Sequence, residues 1–247
     1  MFIYMKKLFT IVLTMLAAIT VGTSCKGSSA DITYSAFVTV IEGTWDIPYY
    51  VMFEDGKTAY VENYKEWTPA FSDKWKELRY IVYYTESGAV KQGYDKTINI
   101  TAYQSVSMDH VQNVTDADFT GENGLQTFNG SFDIIEAYFS QPSGFLTLSL
   151  LVPMSDTALK HQVKVVRNLS ENNPYKEYYE SGDDYLWLEA YYYMGEDSDS
   201  YQATSYMCYK VNEESLGVDT LTSSYRGIKI VLNSYDQADV IVYTLDF

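Results

Sequence analysis

The sequence predicts an all-β protein built as a small OB-like Greek-key barrel followed by an immunoglobulin-like β-sandwich. Three observations carry this. Tyr is abundant at 25 residues, beside 11 Phe and many Val, Ile and Thr, and such stiff or flat side chains suit a pleated sheet. Short alternating runs recur between Gly, Pro, Asn and Asp punctuation. No amphipathic helix of useful length interrupts them.

The chain opens with a different signal. Met5-Lys6-Lys7 precedes an apolar run from Leu8 to Val21 and then Gly22-Thr23-Ser24-Cys25. The run has 14 residues, whereas a spanning helix needs about 20. It therefore reads as a lipoprotein signal peptide over 1–24, with Cys25 as the lipidated first residue of the mature chain and 25–31 as its tether. Acyl chains on Cys25 would make the membrane a partner, since each buried methylene contributes about 0.8 kcal/mol. Lys26 after the cysteine fits sorting to an outer membrane.

The predicted barrel spans 32–115. Ile32 to Ile41 is a β-branched and aromatic strand, and Gly43 and Pro48 bracket the turn after it. Tyr49 to Phe53 and Ala59 to Glu62 flank Glu54-Asp55-Gly56-Lys57, and Asp-Gly between apolar runs is a strong hairpin signal because the turn needs positive φ. Asn63 to Lys76 is a break containing Trp67 and Trp75. Leu78 to Thr85 and a long run from Tyr94 to Met108 complete five strands. Five strands with a break between the third and fourth is the count of an OB-type barrel.

Polar, glycine-rich sequence over 116–130 predicts a linker, and 131–247 the sandwich. Ser131 to Ser140, Phe145 to Val152, His161 to Arg167, Tyr185 to Met194, Tyr201 to Val211, Gly227 to Leu232 and Val240 to Leu245 supply about seven strands. Acidic loops, Glu171 to Asp184 and Glu196 to Ser200, separate the middle ones.

Charge narrows the partners. The signal holds two of the 17 basic residues and none of the 33 acidic ones, which leaves the mature chain at net −18. That balance repels phosphate backbones and argues against nucleic acid. Only two cysteines occur; with Cys25 acylated, Cys208 has no partner and reads as a small buried hydrophobe.

Catalytic and cofactor motifs do not emerge. Gly56-Lys57-Thr58 lacks the earlier glycine of a phosphate loop, because position 51 is valine. His110 and His161 are the only histidines, and neither adjoins a strained serine turn. Asp116, Asp118 and Gly121 copy the front of a calcium loop, but Thr127 stands where its bidentate glutamate belongs. The residues thus predict no catalytic site, no metal and no cofactor. A hydrolase using two carboxylates stays as the minor alternative, since no short motif marks such a pair. Candidate ligand contacts are Tyr49, Tyr50, Tyr64, Trp67 and Trp75, aromatic residues around the second strand and the break after the third. Their ligand would be a glycan or an envelope protein.

The order Tyr34-Ser35-Ala36-Phe37-Val38-Thr39-Val40, Glu54-Asp55-Gly56, Arg79-Tyr80-Ile81-Val82-Tyr83-Tyr84-Thr85, Gly93-Tyr94-Asp95 and Ile98-Asn99-Ile100 resembles the NigD-like lipoproteins of Bacteroidales. Phe132 to Phe139 and His161 to Val166 extend the resemblance across nearly the whole mature chain. It implies the same two-part fold, an envelope location and no defined activity. The family's link to a bacteriocin operon adds an alternative, an immunity or interaction role. It also implies that Thr157 and Thr220, in Asp-Thr-apolar triplets, match the O-glycosylation site of exported proteins of that phylum.

Overall fold

A computed structural model describes residues 32–42, 49–67, 79–120, 124–156, 161–195, 197–198, 201–211, 216–217 and 221–247. The signal peptide, Cys25, Trp75, Thr157 and Thr220 lie outside them.

Five strands close the barrel: β1 (Tyr34–Glu42), β2 (Tyr49–Phe53), β3 (Thr58–Val61), β4 (Arg79–Glu86) and β5 (Lys96–Ser105), in the order β1-β2-β3-β5-β4. Period-two alternation fills the interior. Val38, Val40, Tyr49, Val51, Phe53, Ala59, Val61, Tyr80, Val82, Tyr84, Ile98 and Ile100 point inward and form one core. The β3–β5 seam is short and parallel, from Ala59↔Lys96 to Val61↔Ile98. Asn63 lengthens it by acting as a surrogate backbone: its Nδ2 donates to Ile100 O at 2.8 Å and its Oδ1 accepts from Ile100 N at 3.0 Å. A single helical turn, α1 (Tyr64–Trp67), follows.

The sandwich has two sheets. One runs β14-β13-β11-β10-β7 and the other β6-β12-β9-β8. Their strands are β6 (Ser107–His110), β7 (Gln112–Val114), β8 (Asp133–Ser140), β9 (Phe145–Met154), β10 (Gln162–Asn168), β11 (Tyr185–Tyr193), β12 (Tyr201–Lys210), β13 (Gly227–Ser234) and β14 (Asp239–Asp246). Leu146, Leu148, Leu150, Leu186, Leu188, Ile228 and Ile230 centre the core between them.

Two expectations are corrected. The barrel does not run to 115: its strands end at Ser105, β6 pairs in parallel with β12, and β7 in parallel with β10. The chain between Ser107 and Val114 therefore edges both sheets, with Val111 buried in the core at the crossover. Nor is 116–130 a solvated linker. Helix α2 (Asp116–Phe119) and a 3₁₀ turn, Leu125–Thr127, bury Phe119 and Leu125 against Val166, Tyr191 and Val231 on the outer face of the five-stranded sheet. The barrel and sandwich fall within one compact unit, Thr33–Phe247.

Candidate functional site

The outer face of β2 and β3 carries the residues that alternation excludes from the barrel core, and two of these are Tyr50 and Tyr60. The loop from Ser87 to Asp95 folds back over them. Tyr94 meets Tyr50 edge-on at 5.6 Å between ring centroids and Tyr60 at 5.9 Å. The Lys91 ammonium lies over the Tyr60 ring at 5.5 Å, a cation–π contact.

The loop is fastened at both ends. Asp95 Oδ2 accepts from Thr58 N at 2.8 Å and from Thr58 Oγ1 at 3.2 Å, while Asp95 N donates back to Thr58 O at 3.0 Å. Lys91 N donates to Thr97 Oγ1 at 2.8 Å. Gly93, at φ +92°, supplies the left-handed residue that turns the chain between them. Partial burial, then the neighbouring Tyr50 and Tyr60, push the Tyr94 hydroxyl up from its ordinary pKa. All three tyrosines are half-exposed. The result is a fixed aromatic platform.

The predicted contacts divide. Tyr50 belongs to the platform. Tyr49 and Trp67 do not face solvent, since both are barrel-core residues about 5% exposed. Tyr49 donates its hydroxyl to Tyr64 O, and Tyr64 packs edge-on against its ring. Trp67 lies 5.0 Å from Tyr103. Core packing thus claims Tyr49 and Trp67, and Tyr64 is half-buried against it. Tyr60, Tyr94 and Lys91 were missed; alternation with Ala59 and Val61 was the available signal for Tyr60.

A second polar centre lies where the barrel meets the four-stranded sheet. Arg79 is 1% exposed. It donates to Thr39 Oγ1 at 2.8 Å, to Thr147 Oγ1 at 3.3 Å and to Glu54. The rings of Phe145 and Phe37 flank its guanidinium at 5.0 and 6.0 Å. Burial is the largest influence and opposes its charge, but the Glu54 carboxylate and Cys208 together prevail and raise its pKa overall. Phe37 and Ile81 of the barrel pack here against Val106, Phe145 and Cys208, and Cys208 is fully buried as expected from its alternating strand. The hairpin tip also docks: a Cβ on Gly56 would meet Pro142 at 2.9 Å. Beside this joint a cleft of about 400 Å³ is lined by Phe37, Phe53, Lys57, Tyr84 and Lys96 among others. Its lysines are already paired, Lys57 with Asp55 and Lys96 with Glu86, each at 2.5 Å.

The remaining candidates hold backbone together. His161 Nδ1 lies 2.7 Å from Tyr192 Oη, and its Nε2 lies 3.0 Å from Asp197 Oδ2. Ser155 Oγ bonds Asp197 and not the imidazole, so no nucleophile–base pair forms. Asp116 Oδ1 accepts from Ser170 Oγ at 2.5 Å, from the N–H groups of Glu171 and Asn172, and from Asn172 Nδ2 at 2.9 Å. It fixes a turn that a calcium ligand would have to abandon. Among the described residues no group of three or more His, Cys, Asp or Glu side chains could hold a metal ion.

No protein-family model matches the sequence, and no curated protein matches it. Solved structures do match. A protein of unknown function, DUF1344, from Bacteroides vulgatus is 16% identical with a TM-score of 0.63, covering 87% of this chain and 91% of its own. A putative lipoprotein from Bacteroides fragilis is 12% identical at TM-score 0.58, with 87% and 98% covered. A NigD-like immunity protein from Bacteroides caccae is 18% identical at TM-score 0.53, with 85% and 91% covered. At these identities the likeness is one of fold: the barrel and sandwich of this chain are an architecture also found in that putative Bacteroides fragilis lipoprotein and in the NigD-like immunity protein.

Proposed function

We propose that the protein is an envelope lipoprotein that binds its ligand without converting it, and that the Tyr50–Tyr60–Tyr94 platform is the binding surface. The platform itself carries the proposal: three rings are fixed on the strand 2–3 face that OB-type barrels use for extended ligands. Tyrosines offer an apolar ring face and a hydroxyl at little entropic cost, which suits sugar rings or an extended protein segment. A net charge of −18 after signal removal sets nucleic acid aside. Lipid on Cys25 would hold the protein at the outer membrane.

The test is titration of the soluble Cys25→Ala protein with a panel of neutral and acidic oligosaccharides and with envelope extract. Replacing Tyr50, Tyr60 and Tyr94 by alanine together should weaken any captured ligand at least about tenfold, at roughly 0.5–1.5 kcal/mol per ring contact, with the circular dichroism spectrum unchanged. Unaltered affinity in the triple variant would remove the platform from consideration.

A second reading, immunity, draws on the fold shared with the Bacteroides caccae immunity protein. There the tethered body would capture a secreted toxin. A deletion strain should then lose survival in supernatants of sibling strains, and unchanged survival counts against it.

A further inference from the structure

Closure of the barrel limits what can dock on the Tyr50–Tyr60–Tyr94 platform. β2 lies between β1 and β3, and β3 lies between β2 and β5. Neither strand offers an open edge to which an extended peptide could add its backbone. Recognition on this face therefore falls to side chains alone. A pyranose suits such a surface, because its apolar C–H face meets a tyrosine ring while its hydroxyls reach the polar tips.

Charge narrows the ligand further. Lys91 is exposed, and its ammonium lies over the Tyr60 ring at 5.5 Å. Among the described residues no carboxylate forms an ion pair with it. The acids on the surrounding strands and turns each have another donor. Asp95 accepts from Thr58 N and Oγ1, and Glu62 accepts from Asn99 Nδ2 at 2.8 Å. Asp55 is paired with Lys57, and Glu86 with Lys96. The backbone beneath Lys91 is fixed as well: its N–H donates to Thr97 Oγ1, and its carbonyl accepts from Tyr94 N at 3.2 Å. An uncommitted cation thus stands beside the rings before any ligand arrives, which lowers the ordering cost of binding an anionic group there.

We infer that the ligand of the platform is a saccharide bearing a carboxylate, a residue of the uronic-acid type. Its ring lies against the tyrosines and its carboxylate meets the Lys91 ammonium. This rests on the reading of the three tyrosines as the binding surface. The chain's net charge of −16 opposes a dense polyanion. Isolated carboxylates on an otherwise neutral glycan fit the site, whereas a continuous run of them does not.

The experiment titrates the full protein calorimetrically with oligosaccharides that each contain one glucuronate, and with the same oligosaccharides after carboxyl reduction to glucose. The acidic form should bind at least about threefold more tightly, within the range of an exposed ion pair. Lys91→Gln should bring the two forms to one affinity, and Lys91→Arg should keep the gap. The melting midpoint should not move in either variant, since the side chain is exposed. Equal affinity of the two forms for the parent protein, or a gap that survives Lys91→Gln, would overturn the acidic class. If the two forms bind equally and both are lost when Tyr50, Tyr60 and Tyr94 become alanine, the platform stands and the carboxylate falls. If envelope extract yields instead a protein whose capture needs those tyrosines, the platform stands and the saccharide falls. If nothing binds, both readings fall together.

Discussion

Arg79 and Glu189 are both charged side chains with almost no exposure, and they are held in opposite ways. Arg79 is matched by an opposite charge, two threonines and two ring faces drawn from the barrel and the sandwich alike. Glu189, on the outward face of β11, is held by neutral donors. Tyr179 Oη donates to it at 2.5 Å, Asn168 Nδ2 at 2.8 Å, and Tyr191 Oη as well. Burial, then the Glu189 charge, push both tyrosine hydroxyls far above their ordinary range, so they remain donors at any pH the protein would meet. The difference is one of reach. The cation clasps two domains, whereas the anion fastens one loop onto one sheet.

Removing the cation should be the costlier break. Arg79→Met leaves Glu54 beside an apolar joint with no counter-charge, and losing one partner of a buried pair costs about 3–5 kcal/mol; the partial exposure of Glu54 favours the lower end. Urea denaturation measures it, and adding Glu54→Gln should return part of the loss. A change within about 0.5 kcal/mol, typical of a surface site, would refute the clasp.

Glu189→Ala leaves two tyrosine hydroxyls and an amide without their acceptor, for about 2–3 kcal/mol. Glu189→Gln, which keeps one carbonyl oxygen, should lose less. Hydrogen exchange should quicken over 168–184 and stay unchanged in the barrel strands. Quickening in both regions would erase the contrast between clasp and fastener.

The smallest effect concerns a third carboxylate, Asp197, and depends on pH. Burial raises its pKa, but bonds from Ser155 Oγ and from the N–H groups of Ser155, Asp156 and Ser198 prevail and hold it well below the carboxylate range. A depressed folded pKa means the stabilisation is complete above the unfolded value of about 3.9 and is lost as pH falls below it. The gap in midpoint between Asp197→Asn and the parent should therefore be constant above about pH 5 and shrink below about pH 4. A gap that widens in acid would contradict the assignment.

Much of this architecture was legible because strands alternate. Tyr49–Phe53 was located to the residue, and the strands of the sandwich core within two or three. The same alternation separates Tyr49, in phase with Val51 and Phe53, from Tyr50, out of phase with them. Reading the tyrosines as a cluster, and not by parity, mixed core with surface. The barrel boundary was missed for another reason. β5 passes into β6 through Val106 with neither glycine nor proline to mark the change of sheet. The stretch 116–130 looked solvated because three apolar residues, Phe119, Leu125 and Phe128, dock it amid polar neighbours.

The strand pair from Ser107 to Val114 has a consequence for the order of assembly. Met108 pairs with Cys208, one hundred positions later, and Asn113 with Arg167. A chain made from its N-terminus thus delivers the border strands of both sheets early and must keep them unpaired until β10 and β12 arrive. Parallel, remote pairings of this kind form slowly, and open strand edges invite wrong partners meanwhile. The sandwich cannot be completed without a segment that leaves the barrel first, so the two halves are joined in time as well as in space.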